Sequence, residues 1–437
     1  MKKFTTLLLA LVMVLTLAAS SVAYADDVRN INWFTVRSGG WPLMQEIIDE
    51  FNEIHPNVHV ELIPGPVDRT TYYQQLKLMA GSDELPDLFD SDADTTLMQM
   101  ASLGLLVDVD ELLADINYDR MVPIGLNYAR FSNGKLYTID FENNLEFFWY
   151  RKDLFAQAGV ETIPSTWDEF FDACEKLKAA SITPIAVCAG WPALRWISFY
   201  PFRLTGNEFI ESLKTGETKM NSELGLQAAE FFQRLAGNYF MADWATSDYN
   251  GALEAFTSGS AAIHNTGSWQ FGSFLNPVPE EGEEPEEGKI PGEIADEYGY
   301  FMLPMLPNSV NDEYAMCAHA GTGVSISASS YDDDVKEFIT YMLDAYPDKA
   351  FWDYNVFPCM TFDENKGELT DFQKVQIDMS EKLSSYMFTW DVRLDSASND
   401  VMLKEIQVLG MGLETPEEFA NHIDEAIAEN APRFFGK

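Results

Sequence analysis

The chain has 437 residues, and its 46 % hydrophobic and 13 % aromatic content excludes an intrinsically disordered protein. Its 28 basic and 70 acidic residues give a formal net charge of −42, which repels nucleic-acid phosphates and anionic lipid surfaces, so neither is predicted as a partner. At about 150 residues per domain, the length predicts two or three domains, each with its own core.

The first 25 residues have the pattern of a secretory leader. Lys2 and Lys3 precede a mostly apolar run over 7–19, and Ala23-Tyr24-Ala25 forms a small-residue cleavage site. The apolar run is shorter than the ~20 residues that span a bilayer. Ser20 stands where a bacterial lipoprotein leader needs a cysteine. We therefore expect cleavage after about Ala25 and a lipid-free protein in the periplasm, at the cell surface or outside the cell.

Strands and helices alternate after the leader. The spacing of apolar residues predicts strands over 28–36, 58–62 and 88–89, with a helix over 42–54 between the first two and another over 97–103. Strands that alternate with helices of this length indicate a mainly parallel sheet covered by helices on both faces.

A second α/β unit follows. Strands are predicted over 136–139, 147–150 and 185–188, and Ser165 or Thr166 opens a helix over 167–180. In sheets of this kind, ligands bind outside the carboxyl ends of the strands. The loops that we expect to carry ligand contacts are 37–41, 90–94, 141–144 and 189–196.

The segment 276–298 breaks the α/β pattern. It is rich in proline, and six glutamates lie between Glu280 and Glu287, so it cannot bury a core and is predicted to be a solvated surface loop. The last 90 residues are mostly helical, and Thr415-Pro416-Glu417-Glu418 marks the start of the final helix.

Four cysteines are too few to form a disulfide scaffold in a chain of this size. Cys174, Cys188, Cys317 and Cys359 match no C-x-x-C pattern, and we expect them to pack as small apolar residues. An oxidising compartment would also permit a bridge between Cys174 and Cys188.

Sequence motifs of common enzymes and cofactor sites are missing. No G-x-S-x-G, G-x-x-x-x-G-K-[ST] or H-E-x-x-H motif occurs, and the five histidines have no metal-ligand spacing. The run Asp90–Asp94 starts like a calcium loop, but Thr95 replaces the required glycine and Ala101 the required glutamate. We therefore predict a protein that is not an enzyme and that has no cofactor and no metal.

Eight segments in a shared order carry a resemblance to a known family. They are FNEIHPNV (51–58), PDLF (86–89), GLL (104–106), YRKDLF (150–155), PSTWDEF (164–170), FTSGSAAI (256–263), GSW (267–269) and GTGVSIS (321–327). With these segments, the chain resembles the extracellular solute-binding proteins of bacterial ABC transporters, in particular the carbohydrate-binding branch related to maltose-binding protein.

The resemblance implies a two-lobed α/β fold like that of periplasmic binding proteins, with a mainly parallel sheet and flanking helices in each lobe and a hinge between them. Lobe 1 is predicted to contain 26–140 and 318–345, and lobe 2 to contain 141–317 and 346–437. A sugar would be held in the cleft and delivered to a membrane permease, and we expect a monomer that closes around its ligand.

The resemblance and the four loops together give a set of candidate ligand-binding residues. Asp92 and Asp94 follow the third strand, where the family places polar ligand contacts, and Asn144 stands where a ligand carboxylate is common. Trp269 falls on the family's stacking aromatic residue. The complete set is Arg37, Trp41, Asp92, Asp94, Asn144, Trp191, Trp196, Trp269, Gly321 and Trp390.

The residue types favour a sugar, because aromatic faces cover the C–H side of a sugar ring while planar polar groups bind its hydroxyls. Two alternatives remain open. A secreted polysaccharide-cleaving enzyme needs a pair of carboxylates at a separation that the sequence does not give. A binder of polyamines or other cations would also use aromatic and acidic residues, but its affinity would fall with ionic strength.

Overall fold

The computed structural model describes residues 28–37, 41–66, 69–131, 133–277 and 289–435. The predicted leader, its cleavage site and residues 278–288 of the acidic segment lie outside these ranges. Among the helices within the described ranges, none is both long enough and apolar enough to cross a lipid bilayer.

Strands and helices alternate along the chain as predicted. The strands are β1 Arg29–Thr35, β2 Val58–Pro64, β3 Leu88–Ser91, β4 Asn144–Arg151, β5 Thr183–Ala186, β6 Ala261–Gly267, β7 Tyr298–Phe301, β8 Met316–His319, β9 Gly323–Ile326 and β10 Tyr386–Met387. The helices are α1 Pro42–Ile54, α2 Arg69–Ser82, α3 Thr95–Ser102, α4 Val109–Asp115, α5 Pro123–Asn127, α6 Lys152–Gln157, α7 Trp167–Ala179, α8 Trp191–Thr205, α9 Glu208–Leu213, α10 Glu223–Asn238, α11 Tyr249–Thr257, α12 Asp333–Trp352, α13 Asp371–Lys382, α14 Trp390–Arg393, α15 Ser396–Gly410 and α16 Pro416–Phe435, with a 3-10 helix at Ser268–Ser273.

The smaller sheet has the strand order β2-β1-β3-β9. β1 runs parallel to both β2 and β3, whereas β9 runs antiparallel to β3. Helix α1 buries Ile47, Ile48 and Phe51 on one face and packs against α12. The predicted strand over 136–139 forms only a single antiparallel bridge, between Ile139 and Val324.

The larger sheet has the order β10-β8-β4-β6-β5, and β7 also pairs with β4. β5 runs parallel to β6 and β10 to β8, but β4 runs antiparallel to β6, β7 and β8. This sheet is therefore mixed rather than mainly parallel. β4 and β9 each come directly after a segment in which the chain passes from one sheet to the other. Both strands therefore start at the edge where the parallel strands end, and they run antiparallel to their neighbours.

The helix starts that were predicted from sequence have the expected caps. Thr166 and Glu169 form a reciprocal capping box at the start of α7. At the start of α16, the backbone N–H of Glu418 donates to Thr415 Oγ1, and the Thr415 N–H donates to Glu418 Oε2. The four cysteines are buried free thiols, and the alternative of a bridge between Cys174 and Cys188 is not realised.

Within the part of the chain that the structure describes, three segments, called crossings below, connect the two sheets. The first precedes β4, the second is the short stretch 320–322 between β8 and β9, and the third follows α12 and lies beside the first, where Cys359 N–H donates to the carbonyl of Phe141. Strand β8 and helix α12 run through the predicted lobe boundaries after residues 317 and 345. Because one strand or helix cannot be divided between two units, we propose boundaries within 140–143, 320–322 and 353–360 instead.

Candidate functional site

A cavity of about 410 Å³ lies between the two sheets, at the edge where the parallel strands end. Its volume falls within the ~300–1,000 Å³ of small-molecule sites. The four loops predicted from sequence all contribute to it. The lining residues are Arg37, Asp92, Ala93, Tyr128, Ala129, Asp140, Glu142, Asn144, Trp191, Arg195, Trp269, His319, Gly321, Thr322, Thr389, Asp391 and Val392.

One wall of the cavity is aromatic. Trp269 follows β6 and is 37 % exposed, and its indole N–H donates to the hydroxyl of Tyr249 at 2.8 Å. The ring of Trp191 stands edge-on to Trp269, with centroids 5.9 Å apart, and the ring of His319 lies 5.2 Å away. These contacts fix the orientation of the Trp269 ring while one face stays accessible.

Gly267 permits this position of Trp269. A Cβ atom on Gly267 would lie 2.1 Å from the Trp269 ring, far inside van der Waals contact. The glycine that ends β6 therefore lets the indole lie directly against the backbone.

A buried ion-pair network supports the same wall. Arg195 Nε donates to Glu146 Oε1 at 3.1 Å, and Arg195 Nη1 donates to Asp391 Oδ1 at 2.8 Å. The guanidinium also lies 4.9 Å from the ring centroid of Trp191. Burial alone would lower the pKa of Arg195, but the carboxylates of Asp391 and Glu146 raise it, so this side chain stays charged.

The opposite side of the cavity carries a second paired arginine. Arg37 Nη1 donates to Glu142 Oε1 at 3.2 Å, and Arg37 Nη2 donates to the carbonyl of Thr322 at 3.2 Å. The guanidinium stacks on Trp41, 3.5 Å from the ring centroid. Arg37 thus connects the end of β1 with both neighbouring crossings between the sheets.

The three aspartates in the run 90–94 make three different kinds of contact. Buried Asp90 accepts hydrogen bonds from Trp33 Nε1 and Thr35 Oγ1 and so ties the ends of β1 and β3 together. Asp92 accepts a hydrogen bond from the Tyr73 hydroxyl at 3.0 Å and lines the cavity. Asp94 caps α3 by accepting from Leu97 N–H, which explains why it turns away from the cavity.

Asp140 places a buried carboxyl at the cavity wall. Within the described ranges, no group donates a hydrogen bond to its Oδ2. Burial raises the pKa of Asp140 well above its ordinary value, and the nearby Asp92 raises it further. A shift in this direction favours the protonated carboxyl, which can donate a hydrogen bond to a ligand as well as accept one.

Asn144 is held at the point where the chain enters β4. Its Oδ1 accepts a hydrogen bond from Ser268 Oγ at 2.7 Å. Gly321, in the second crossing, has a φ of 73° and lies so close that an added Cβ would be 2.8 Å from Asn144 Nδ2.

Gly321→Ala is expected to lower the free energy of unfolding more than Gly104→Ala does. Both positions have a left-handed backbone, with φ of 73° and 72°, so each alanine costs about 1–2 kcal/mol. A Cβ at Gly104 meets nothing within 4 Å, whereas at Gly321 it displaces the Asn144 amide. Urea unfolding of the two variants measures the difference, and equal losses would show that the contact with Asn144 is unimportant.

Comparison with known proteins assigns the chain to a family. A sequence profile described as bacterial extracellular solute-binding protein matches residues 42–345, well over half of the chain. The chain belongs to this family. Its members are binding proteins, and the resemblance found in the sequence is confirmed.

Curated relatives of this solute-binding protein match over part of their length. The sn-glycerol-3-phosphate-binding periplasmic protein UgpB of Rhizobium meliloti is 26 % identical over 279 residues, 59 % of this chain and 62 % of that protein. The multiple sugar-binding protein of Streptococcus mutans is 24 % identical over 266 residues, 58 % of this chain and 60 % of that protein. The chain thus spans about three fifths of the length of these relatives.

Solved structures share the fold of the solute-binding protein over nearly its whole length. A chitin oligosaccharide binding protein superposes with a TM-score of 0.77 at 21 % identity, covering 93 % of this chain and 99 % of that one. The maltose-bound MalE3 of T. maritima gives a TM-score of 0.67 at 16 % identity, covering 92 % and 100 %. The predicted two-lobed α/β fold is confirmed.

The structure of the solute-binding protein brings six of the ten candidate residues together around the cavity. They are Arg37, Asp92, Asn144, Trp191, Trp269 and Gly321. Four lie elsewhere. Asp94 caps α3, and Trp41 packs under Arg37. Trp196 and Trp390 are almost fully buried, against Phe148 and Phe209 respectively.

Helical geometry explains two of these four positions. Trp191 and Arg195 are four residues apart on α8 and share the face toward the cavity, while Trp196 turns about 100° away into the core. Likewise, Thr389 and Asp391 line the cavity and the intervening Trp390 does not. Arg195 could have been predicted from the sequence, because it lies four residues after Trp191 and therefore on the same face of the helix. The other lining residues that were not among the candidates are Ala93, Tyr128, Ala129, Asp140, Glu142, His319, Thr322, Thr389, Asp391 and Val392.

Proposed function

We propose that this protein is the exported binding component of a carbohydrate ABC transporter and that it captures an uncharged mono- or oligosaccharide in the cavity between its sheets. It would then deliver the sugar to a membrane permease. The observation that carries this proposal is the pairing of an accessible aromatic wall at Trp269 with planar polar groups across the same cavity.

The charges around the cavity favour a neutral ligand over an anionic one. A phosphate ester needs donors with unsatisfied positive charge. Arg37 is engaged by Glu142, and Arg195 by Glu146 and Asp391, so both lining guanidinium groups already have carboxylate partners. The UgpB relative is named for sn-glycerol 3-phosphate, and this pairing argues against the same ligand here.

The same pairing disfavours a polyamine. Two of the four lining carboxylates, those of Glu142 and Asp391, are neutralised by arginine, and the raised pKa of Asp140 favours its neutral form. Hydroxyl groups can use all of these partners, because each hydroxyl both donates and accepts. The names of the chitin oligosaccharide binding protein and the multiple sugar-binding protein also support a sugar ligand.

Thermal unfolding and calorimetry test the proposal with three ligand classes: neutral oligosaccharides, glycerol 3-phosphate and spermidine. A neutral sugar at 100 times its dissociation constant is expected to stabilise the fold by about 2.7 kcal/mol. Its affinity should hardly change between about 0.05 and 0.5 M salt, since no net charge is screened.

Two outcomes would contradict the proposal. One is tight, salt-sensitive binding of glycerol 3-phosphate or spermidine with no response to any neutral sugar. The other is release of new reducing ends from a polysaccharide, which would identify an enzyme. We further propose that the exported form starts after Ala25, carries no lipid, is a monomer and closes at the three crossings when sugar binds.

A further inference from the structure

Two carboxylates and one imidazole lie close together at the turn between α15 and α16, and none of these three side chains lines the cavity. Glu405 on α15, Glu414 in the turn and His422 on α16 place their ligand atoms within 4.8 Å of one another. His422 Nδ1 lies 3.1 Å from Glu414 Oε2 and 3.3 Å from Glu405 Oε2.

Glu414 is the unusual member of this cluster. It is 8 % exposed, and within the described ranges neither of its carboxylate oxygens accepts a hydrogen bond with normal geometry. A buried carboxylate that lacks hydrogen bonds is costly. One imidazole N–H also cannot point at two carboxylate oxygens at once, so a simple ion pair leaves Glu414 poorly satisfied.

We propose that Glu405, Glu414 and His422 form a binding site for a divalent cation of the zinc class. In a tetrahedral zinc site with bonds of ~2.0–2.2 Å, donor atoms lie roughly 3.3–3.6 Å apart, close to the two distances from His422. Calcium is disfavoured because it takes six to eight oxygen ligands and no imidazole nitrogen. The half-exposed His422 leaves a fourth position open to water.

The surroundings hold the three ligands in place. Gln233 on α10 donates to the carbonyls of both Leu409 and Glu414, so the turn is tied to a third helix. Glu405 and Glu414 each place a carboxylate oxygen within 3.3 Å of His422 Nδ1, so a bound cation would relieve the repulsion between these two carboxylates.

Neighbouring charges do not block the site. Lys404 Nζ is 3.5 Å from Glu405 Oε1, but this side chain is 78 % exposed and can rotate into solvent. Glu418 already accepts hydrogen bonds from Thr415 N–H and Oγ1 and stays out of the cluster. A bound cation would join α15, the turn and α16 at one point.

Isothermal titration of the exported, tag-free and EDTA-treated protein with Zn²⁺ tests this proposal. We expect saturable binding with a stoichiometry of one, and a dissociation constant at least about tenfold weaker in Glu414→Gln and in His422→Gln. His55→Gln is the matched control, because His55 also contacts a surface glutamate, Glu337, at 3.5 Å, and it should leave zinc binding unchanged.

Co²⁺ gives a second readout, because its visible absorption spectrum reports nitrogen and oxygen coordination directly. That spectrum should disappear in His422→Gln. The proposal is overturned if Zn²⁺ does not saturate, if both variants bind as the native protein does, or if Ca²⁺ competes at equal concentration. Sugar binding should be the same in all of these variants, so failure here leaves the proposed function untouched.

Discussion

Trp269→Ala is expected to weaken sugar binding by one to two orders of magnitude and to lower the free energy of unfolding less than the loss of a fully buried tryptophan does. If the sugar covers about 100 Å² of the indole face, the contact contributes about 2.5 kcal/mol at ~25 cal/mol per Å². Because the Trp269 side chain is 37 % exposed at the cavity wall, its removal loses less packing than the removal of a fully buried tryptophan. Titration calorimetry and urea unfolding measure the two quantities.

Trp390→Ala is the matched control for this prediction. Trp390 is 2 % exposed and packs against Phe209, so its removal should lower the free energy of unfolding by about 3–5 kcal/mol. If Trp269→Ala binds sugar normally but loses several kcal/mol of stability, Trp269 is a core residue and the proposed aromatic wall is wrong.

Arg195→Met is expected to lower the free energy of unfolding by about 3–5 kcal/mol. The substitution keeps most of the side-chain volume but leaves the carboxylate of Glu146, whose side chain is 1 % exposed, without its guanidinium partner. Leaving the carboxylate of Asp391 unpaired costs less, since this side chain is 21 % exposed and can be hydrated. Chemical denaturation at neutral pH measures the loss.

Two further variants separate the buried charge from lost packing. Adding Glu146→Gln to Arg195→Met removes the unpaired charge and should recover part of the stability. Lys374→Met breaks a solvent-exposed pair with Asp371, whose side chains are 58 % and 89 % exposed, so it should cost much less than Arg195→Met. Equal losses in Lys374→Met and Arg195→Met would contradict the argument from burial.

Local sequence patterns predicted most strands and helices of this fold, because apolar spacing and capping residues act within a few positions. The start of α7 at Thr166 and that of α16 at Thr415 are examples. The direction of β4 could not be predicted in this way. A strand's apolar pattern is the same in both directions, and β4 is antiparallel only because the chain enters the larger sheet from the cavity side.

The candidate site was predictable where a polar or aromatic residue comes just after the end of a strand, as Asp92 and Trp269 do. It was not predictable where partners are distant in sequence. Arg195 is held by Glu146 and by Asp391, which are 49 and 196 residues away along the chain. Nor does sequence proximity separate neighbours on one helix, as the different surroundings of Arg195 and Trp196 demonstrate.

The tryptophans are distributed so that the intrinsic fluorescence of the protein should report ligand binding. Of the ten tryptophans, Trp191 and Trp269 line the cavity, whereas Trp33, Trp149, Trp167 and Trp196 are fully buried in the cores. The buried indoles emit from an apolar environment that a ligand does not reach, so they supply a constant blue-shifted background. A solute that displaces water from the cavity alters the emission of the other two, and intrinsic fluorescence therefore registers its arrival without a label.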